Sequence, residues 1–308
     1  MKFAAIRETL LKPLQLVSGV VEKRQTLPIL SNILMELDET GLTITATDLE
    51  MEVKTHIEVD QAMPGKTTVP VRKFLDTCKT LPEDAIVKFD LKNEKALLNS
   101  GKTRFSLTTL SAEEFPVIDA KNTLFRFNIA ENQLKRLIEK TQFAMAIQDV
   151  RYYLNGMLLK IETDGITTVA TDGHRLALST TKSDIGIDES RQAIVPRKGI
   201  MELLRLLEDT DRSIEITIGE NFFRAELPDI SFTTKLIDGK YPSYDAVIPK
   251  NGTQFLVAEK ESLKQCLVRT SILSNEKYRG IRIELDNNTL KATANNPEQE
   301  EAIDEINV

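Results

Sequence analysis

The chain has no tryptophan, and among its 308 residues stand only two histidines, His56 and His174, and two cysteines, Cys78 and Cys266. So few imidazole and thiolate ligands, so far apart, exclude a zinc site of the usual spacing. Each cysteine lies in an apolar-periodic stretch, which predicts buried thiols in a reducing cytoplasm and no disulfide. No apolar run nears the ~20 residues that cross a bilayer, so no membrane association is expected. Arg7, Glu8 and Lys12 interrupt the opening segment, which therefore lacks the apolar core of a secretory leader. A phosphate loop is missing as well. Gly65-Lys66-Thr67 and Gly101-Lys102-Thr103 lack the glycine that must stand five positions earlier, where Asp60 and Ala96 stand. Both triplets read as turns at strand ends.

What remains is a globular composition, 41% hydrophobic and 28% charged, on a chain long enough for more than one core. The net charge of −7 argues against an ordinary nucleic-acid binder, unless the basic residues gather on one surface.

The strongest signal is an internal repeat. LTITATDLE, ITTVATDGH and LKATANNPE place Leu42, Ile166 and Leu290 at a constant spacing of 124 residues, and Ala46, Ala170 and Ala294 keep the same phase. So long a period fits a whole domain and exceeds any solenoid unit. Each copy opens on a candidate helix with one apolar stripe: Leu10, Leu14, Val17 and Val21; Leu134, Ile138, Thr141 and Met145; Leu263, Cys266, Leu267 and Thr270. Pro13 counts against the first helix. Alternating strands follow, Ile33-Met35-Leu37 and Leu42-Ile44-Ala46, across the turn Asp38-Glu39-Thr40-Gly41.

A second half-repeat pairs Val69-Pro70 with Val195-Pro196, Phe105 with Phe232 and Pro116 with Pro242. It carries its own helices, with stripes Phe74, Leu75, Cys78, Leu81 and Ile200, Leu203, Leu204, Leu207. The layout is α+β, with domains expected at 1–124 and 125–252 and the first half only of a third at 253–308. The remainder of that third copy is expected beyond Val308.

One cluster invites a catalytic reading. Asp48, Glu50 and Asp172, with His174 beside them, stand where strands end, as magnesium-holding carboxylates of a nuclease or nucleotidyltransferase would. Aspartates in such positions also cap turns, and the third copy has Asn296 at that phase, which suits a turn better than a metal ligand. No metal and no cofactor are expected.

Seven stretches (TLPILSNIL at 26–34, ATDLEMEV at 46–53, QDVRYYLNGML at 148–158, VATDGHRLA at 169–177, VPRKG at 195–199, ILSNEKYRGIR at 272–282 and ANNPEQEEA at 294–302) closely resemble the beta subunit of bacterial DNA polymerase III, the beta sliding clamp. The resemblance covers the whole chain. It implies a DNA-clamp fold in which repeated domains, helices on one face and antiparallel sheet on the other, form a crescent or half ring. Two crescents then close head-to-tail as a homodimer around duplex DNA. The implied role is that of a processivity factor, non-catalytic within the DNA-directed polymerase.

Sliding requires grip on phosphates without reading of bases. Arg72, Lys79, Lys135, Arg136, Arg197, Arg205 and Lys264 sit on polar faces of the candidate helices, where they are expected to make the hole positive. By resemblance, Arg24, Arg72, Gln148, Tyr152 and Tyr153 touch DNA. A peptide pocket is implied at Leu154, Thr171, Gly173, His174, Arg175, Leu176, Pro242 and Val247. The DNA polymerase III alpha subunit, the clamp loader, other polymerases and repair proteins would dock there through a short linear motif. Ala246 stands where some members carry arginine, and the family completes this pocket with the end of its third domain, so weakened peptide binding is expected. Ring closure would bring Lys102, Arg104, Phe105 and Leu107 against Ile272, Leu273, Glu300 and Glu301.

Overall fold

The computed structural model describes residues 1–21, 27–120, 122–183, 185–187, 189–250 and 252–308, and the chain divides into two compact units, Met1–Tyr241 and Pro242–Val308. The first unit holds two copies of one pattern. In the first copy β1 (Lys2–Ile6) runs straight into α1 (Arg7–Ser18), followed by β2 (Asn32–Asp38), β3 (Gly41–Thr47), β4 (Met51–Ile57), β5 (Asp60–Met63) and β6 (Gly65–Pro70). Its second half is α2 (Val71–Thr80), β7 (Ile86–Lys92), β8 (Lys95–Ser100) and β9 (Thr103–Thr108). The second copy repeats this as β10 (Thr123–Ala130), α3 (Glu131–Thr141), β11 (Gly156–Glu162), β12 (Gly165–Thr171), β13 (Leu176–Lys182) and β14 (Arg191–Pro196). It ends with α4 (Arg197–Leu206), β15 (Ser213–Gly219), β16 (Phe222–Leu227) and β17 (Ile230–Lys235).

The helices form where the apolar stripe lies. In α2, Val71, Phe74, Leu75 and Cys78 are buried while Arg72, Lys73, Asp76 and Lys79 face out. Val21, Leu81, Met145 and Leu207 lie just past their helices yet remain buried, so the stripe outlasts the helix. Pro13 does not stop α1: the helix runs through it, and the ring is buried beside Leu10 and Leu14. That burial offsets the roughly 3 kcal/mol an interior proline costs. The β2–β3 turn is held by Asp38 Oδ1, which accepts from Thr40 N–H (2.8 Å) and Thr40 Oγ1 (2.6 Å), and Gly41 supplies the φ of 139° that closes it.

All ladders are antiparallel. The sheets run β5-β1-β7-β8-β9, β10-β15-β16-β17-β4-β3-β2-β6, and β13-β12-β11-β14. In the eight-stranded sheet β17 of the second copy pairs with β4 of the first, Phe232 opposite Val53 and Thr233 opposite Glu52. One continuous sheet thus welds two homologous domains edge to edge.

The second unit contains α5 (Lys260–Ser271) and the sheet β18-β19-β20, formed by Arg282–Asp286, Thr289–Asn295 and Glu301–Asn307. Glu259 caps α5 by accepting from the N–H groups of Glu261 and Ser262. Its core is small: Cys266, Leu290, Ala292 and Ile306. In the two complete copies the first strand pairs with a second-half strand, β1 with β7 and β10 with β15. Residues 253–259 form no strand.

Candidate functional site

The basic side chains on the helices fall into two groups. Some spend their donors on the molecule itself. Arg72 Nη2 donates to Val21 O just past α1 (3.2 Å), and Arg197 Nη1 to the carbonyls of Gln142 and Met145 just past α3 (3.4 Å each). Arg205 binds Glu202 and donates to Leu16 O (2.5 Å), so it neutralises the carbonyl end of α1 from the neighbouring domain. Lys264 pairs with Glu261 at 3.5 Å. By contrast Lys79, Lys135 and Arg136 make no ion pair or hydrogen bond among the described residues. Lys135, Arg136 and Lys140 line a groove of about 730 Å³ along α3 with Asn132, Gln133, Glu139 and Asp209. These cations are free to meet a polyanion. Arg24 lies outside the described residues.

A loop between α3 and β11 presents two tyrosines. Gln148 takes a left-handed φ of 56°, and Asp149 Oδ1 accepts from Arg151 N–H (2.8 Å). The Arg151 guanidinium and amide hold the Asp149 carboxyl down to about 2. Asn155 closes the loop through Asp149 N–H and O. Tyr152, 57% exposed, meets Tyr153 edge to face at 5.8 Å. Gly239, with φ of 134°, lets the Tyr152 ring lie close: a Cβ there would sit 3.3 Å from Oη.

The turn after β12 holds most of the sequence-predicted pocket residues. Thr171 N–H donates to Tyr241 Oη (3.1 Å), and Thr171 Oγ1 donates to Arg175 O (2.7 Å) while accepting from Gly173 N–H (3.1 Å). Asp172 Oδ1 accepts from the N–H groups of His174 and Arg175, and Oδ2 pairs with Arg175 Nε at 3.2 Å. Arg175 is pinned further by Phe143, whose carbonyl accepts from Nη2 (2.8 Å) and whose ring lies 5.7 Å beneath the guanidinium. His174 is exposed, Leu176 half-buried and Leu154 buried in the core behind them. Pro242 and Val247 are exposed on the second unit.

Asp48 occupies the same turn one copy earlier. Its Oδ1 accepts from Glu50 and Met51 N–H (2.9 and 2.7 Å), and its Oδ2 forms an ion pair with Lys198 Nζ on α4. Asn296 does likewise in the third copy, accepting from Glu300 N–H at 2.9 Å. Asp48 and Asp172 therefore cap equivalent turns, and no cluster of three acidic, histidine or cysteine side chains fit for a metal occurs among the described residues.

Four of the residues expected at ring closure lie on open sheet edges and the other four beside those strands or after α5. Arg104, Phe105 and Leu107 are on β9, the last strand of its sheet, with Lys102 in the preceding turn. Glu301 opens β20, also an edge, with Glu300 just before it. Ile272, 74% exposed, and Leu273 follow α5. Tyr241, Phe143 and Lys198 escaped sequence reasoning, because each acts on a residue distant in sequence and no local pattern marks it.

Family descriptions of the DNA polymerase III beta subunit match the chain in three consecutive blocks: the N-terminal domain over residues 1–119, the central domain over 128–243 and the C-terminal domain over 245–308. The beta sliding clamp of Pseudomonas aeruginosa is 49% identical and that of Escherichia coli K12 50% identical, each over 100% of this chain and 84% of the relative. Among solved structures, a Pseudomonas aeruginosa DnaN sliding clamp bound to griselimycin superposes with a TM-score of 0.95 at 49% identity. The Caulobacter crescentus pol III beta superposes with 0.92 at 33%; both cover 100% of this chain and 84% of the other. The chain belongs to the DNA polymerase III beta subunit family, the sliding clamps that act as non-catalytic processivity factors of the replicative polymerase.

Proposed function

We propose that two copies of this cytoplasmic chain close head-to-tail into a ring around duplex DNA, built from domains at 1–124, 125–252 and 253–308. The observation that carries this reading is the β17–β4 ladder. The repeat makes β9 the counterpart of β17, since Leu98↔Phe105 and Ala225↔Phe232 are the same cross-strand pair in successive copies. It makes β20 the counterpart of β4, since Ala46↔Val53 matches Ala294↔Ala302. The weld inside the chain thus has a free donor edge and a free acceptor edge of the same kind. Carried across, it sets Phe105 opposite Ala302 and Ser106 opposite Glu301 of a second copy. Lys102 and Arg104 then face the acidic run Glu300, Glu301, Asp304 and Glu305, a complementary pairing that selects this edge.

Inside the ring, Lys79, Lys135 and Arg136 grip phosphates while Arg24, Arg72, Gln148, Tyr152 and Tyr153 touch the duplex, with no base readout to stop sliding. The β12–β13 turn with Leu154, Thr171, Gly173, His174, Arg175 and Leu176, together with Pro242 and Val247, receives the linear motifs of the polymerase III alpha subunit, the clamp loader, other polymerases and repair proteins. Oxidation of a Ser106→Cys, Glu301→Cys variant tests the ring. A covalent dimer retained on circular but not linear DNA is expected, whereas a strictly monomeric, well-folded species in sedimentation at several concentrations overturns the reading.

A further inference from the structure

The junction between the two complete domains is fastened by more than its ladder. Asp48, in the turn between β3 and β4, has its carboxylate 97% buried (3% exposed), with one oxygen capping the turn and the other paired with Lys198 in the first turn of α4. The repeat identifies what stands at these two places when the same junction forms between copies. α2 and α4 are both ten residues long and both begin directly after a Val-Pro step, so Arg72 is the counterpart of Lys198. The turn after β19 carries Asn296 where Asp48 stands. Asn296 Oδ1 keeps the capping role, accepting from Glu300 N–H at 2.9 Å. Its other atom is Nδ2, a donor, which is spent on Glu300 Oε2 at 2.6 Å.

We propose that Asn296 weakens the junction between copies relative to the junction within a chain, because it presents an amide donor to Arg72 where Asp48 presents a carboxylate to Lys198. The inference rests on the head-to-tail reading above. One exchanged atom removes the counterpart of the Asp48–Lys198 ion pair from the junction between copies and leaves the junction within the chain intact. The turn itself accepts either residue, as Asp48 and Asn296 show, so the exchange alters only the second atom of the side chain. Glu300 beside it keeps an acid near the seam, yet that acid sits on an exposed side chain and is already engaged by the Asn296 amide.

The test measures exchange of differently labelled copies of the full chain in the absence of DNA. Asn296→Asp is expected to slow exchange about tenfold, and to lose that effect when Arg72→Gln is also present. An aspartate would meet the Glu300 charge until Arg72 of the second copy arrives, so dependence on Arg72 is the diagnostic signature. Exchange at or above the parent rate in Asn296→Asp, with the Ser106→Cys, Glu301→Cys variant still forming its cross-link, overturns the proposal and leaves the ring standing. A Ser106→Cys, Glu301→Cys variant that fails to cross-link, together with a parent that does not exchange, overturns both. The reciprocal Asp48→Asn variant, in which faster amide exchange along β4 and β17 is expected, checks the template itself; unchanged protection there also counts against the proposal.

Discussion

The amide N–H of Thr171 donates to the phenolic oxygen of Tyr241, seventy positions along the chain, at 3.1 Å. Burial pushes the Tyr241 hydroxyl up to about 12 despite that bond, so it is neutral at any working pH. Tyr241→Phe would leave a half-buried amide without its acceptor, at a cost of about 1–2 kcal/mol. Urea denaturation should show that loss. A titration with a labelled clamp-binding peptide should show several-fold weaker binding, because the turn bearing Gly173, His174 and Arg175 loses its anchor. Unchanged affinity would detach Tyr241 from the docking role.

Glu131 opens α3 fully buried, accepting from Glu208 N–H (2.6 Å), Thr210 Oγ1 (2.9 Å) and Arg212 Nη2 (2.9 Å). Burial opposes its ionisation, but the Glu208 amide, Arg212 and Thr210 together outweigh it and hold the carboxyl below 4.5. A lowered folded pKa means stabilisation that is complete above 4.5 and drains away as pH falls through the folded value. Glu131→Gln should therefore be less stable by about 2 kcal/mol at pH 7, less than a fully buried pair because Arg212 stays 43% exposed. The gap between variant and parent in thermal melts should narrow below pH 4.5.

Free and committed cations should separate in DNA binding. Lys135→Ala and Arg136→Ala should each weaken binding at every sequence and make the salt dependence less steep by about one unit. Arg197→Ala should instead lower the melting temperature, because its guanidinium serves the carbonyls of Gln142 and Met145. Equal salt slopes for all three variants would contradict this division.

Burial raises the Cys78 thiol to about 12, and Cys266 is raised by burial and by Asp304. Neither should react with a thiol reagent at pH 8 in the native chain, and both should react in urea. Because the core around Cys266 is small, its thiol should become reactive at a lower urea concentration than that of Cys78.

Much of the fold was legible because it is written three times. The 124-residue phase located the turns at Asp48, Asp172 and Asn296, and the apolar stripes located the five helices found among the described residues. Helix ends were less legible: Val21 and Met145 belong to the stripes but not to the helices, because burial continues after hydrogen bonding stops. Pro13 misled for a related reason, since local propensity yields to packing.

Sequence alone determined the repeat, the family and the turn chemistry of Asp48 and Asp172, because these depend on neighbours within a few positions or on periodicity along the chain. Only the tertiary structure decided which arginines are spent, that Lys198 fastens Asp48, that Tyr241 holds Thr171, and that β17 welds onto β4. Each of those joins groups far apart in sequence, and the backbone path that brings them within 3.5 Å leaves no local pattern to read.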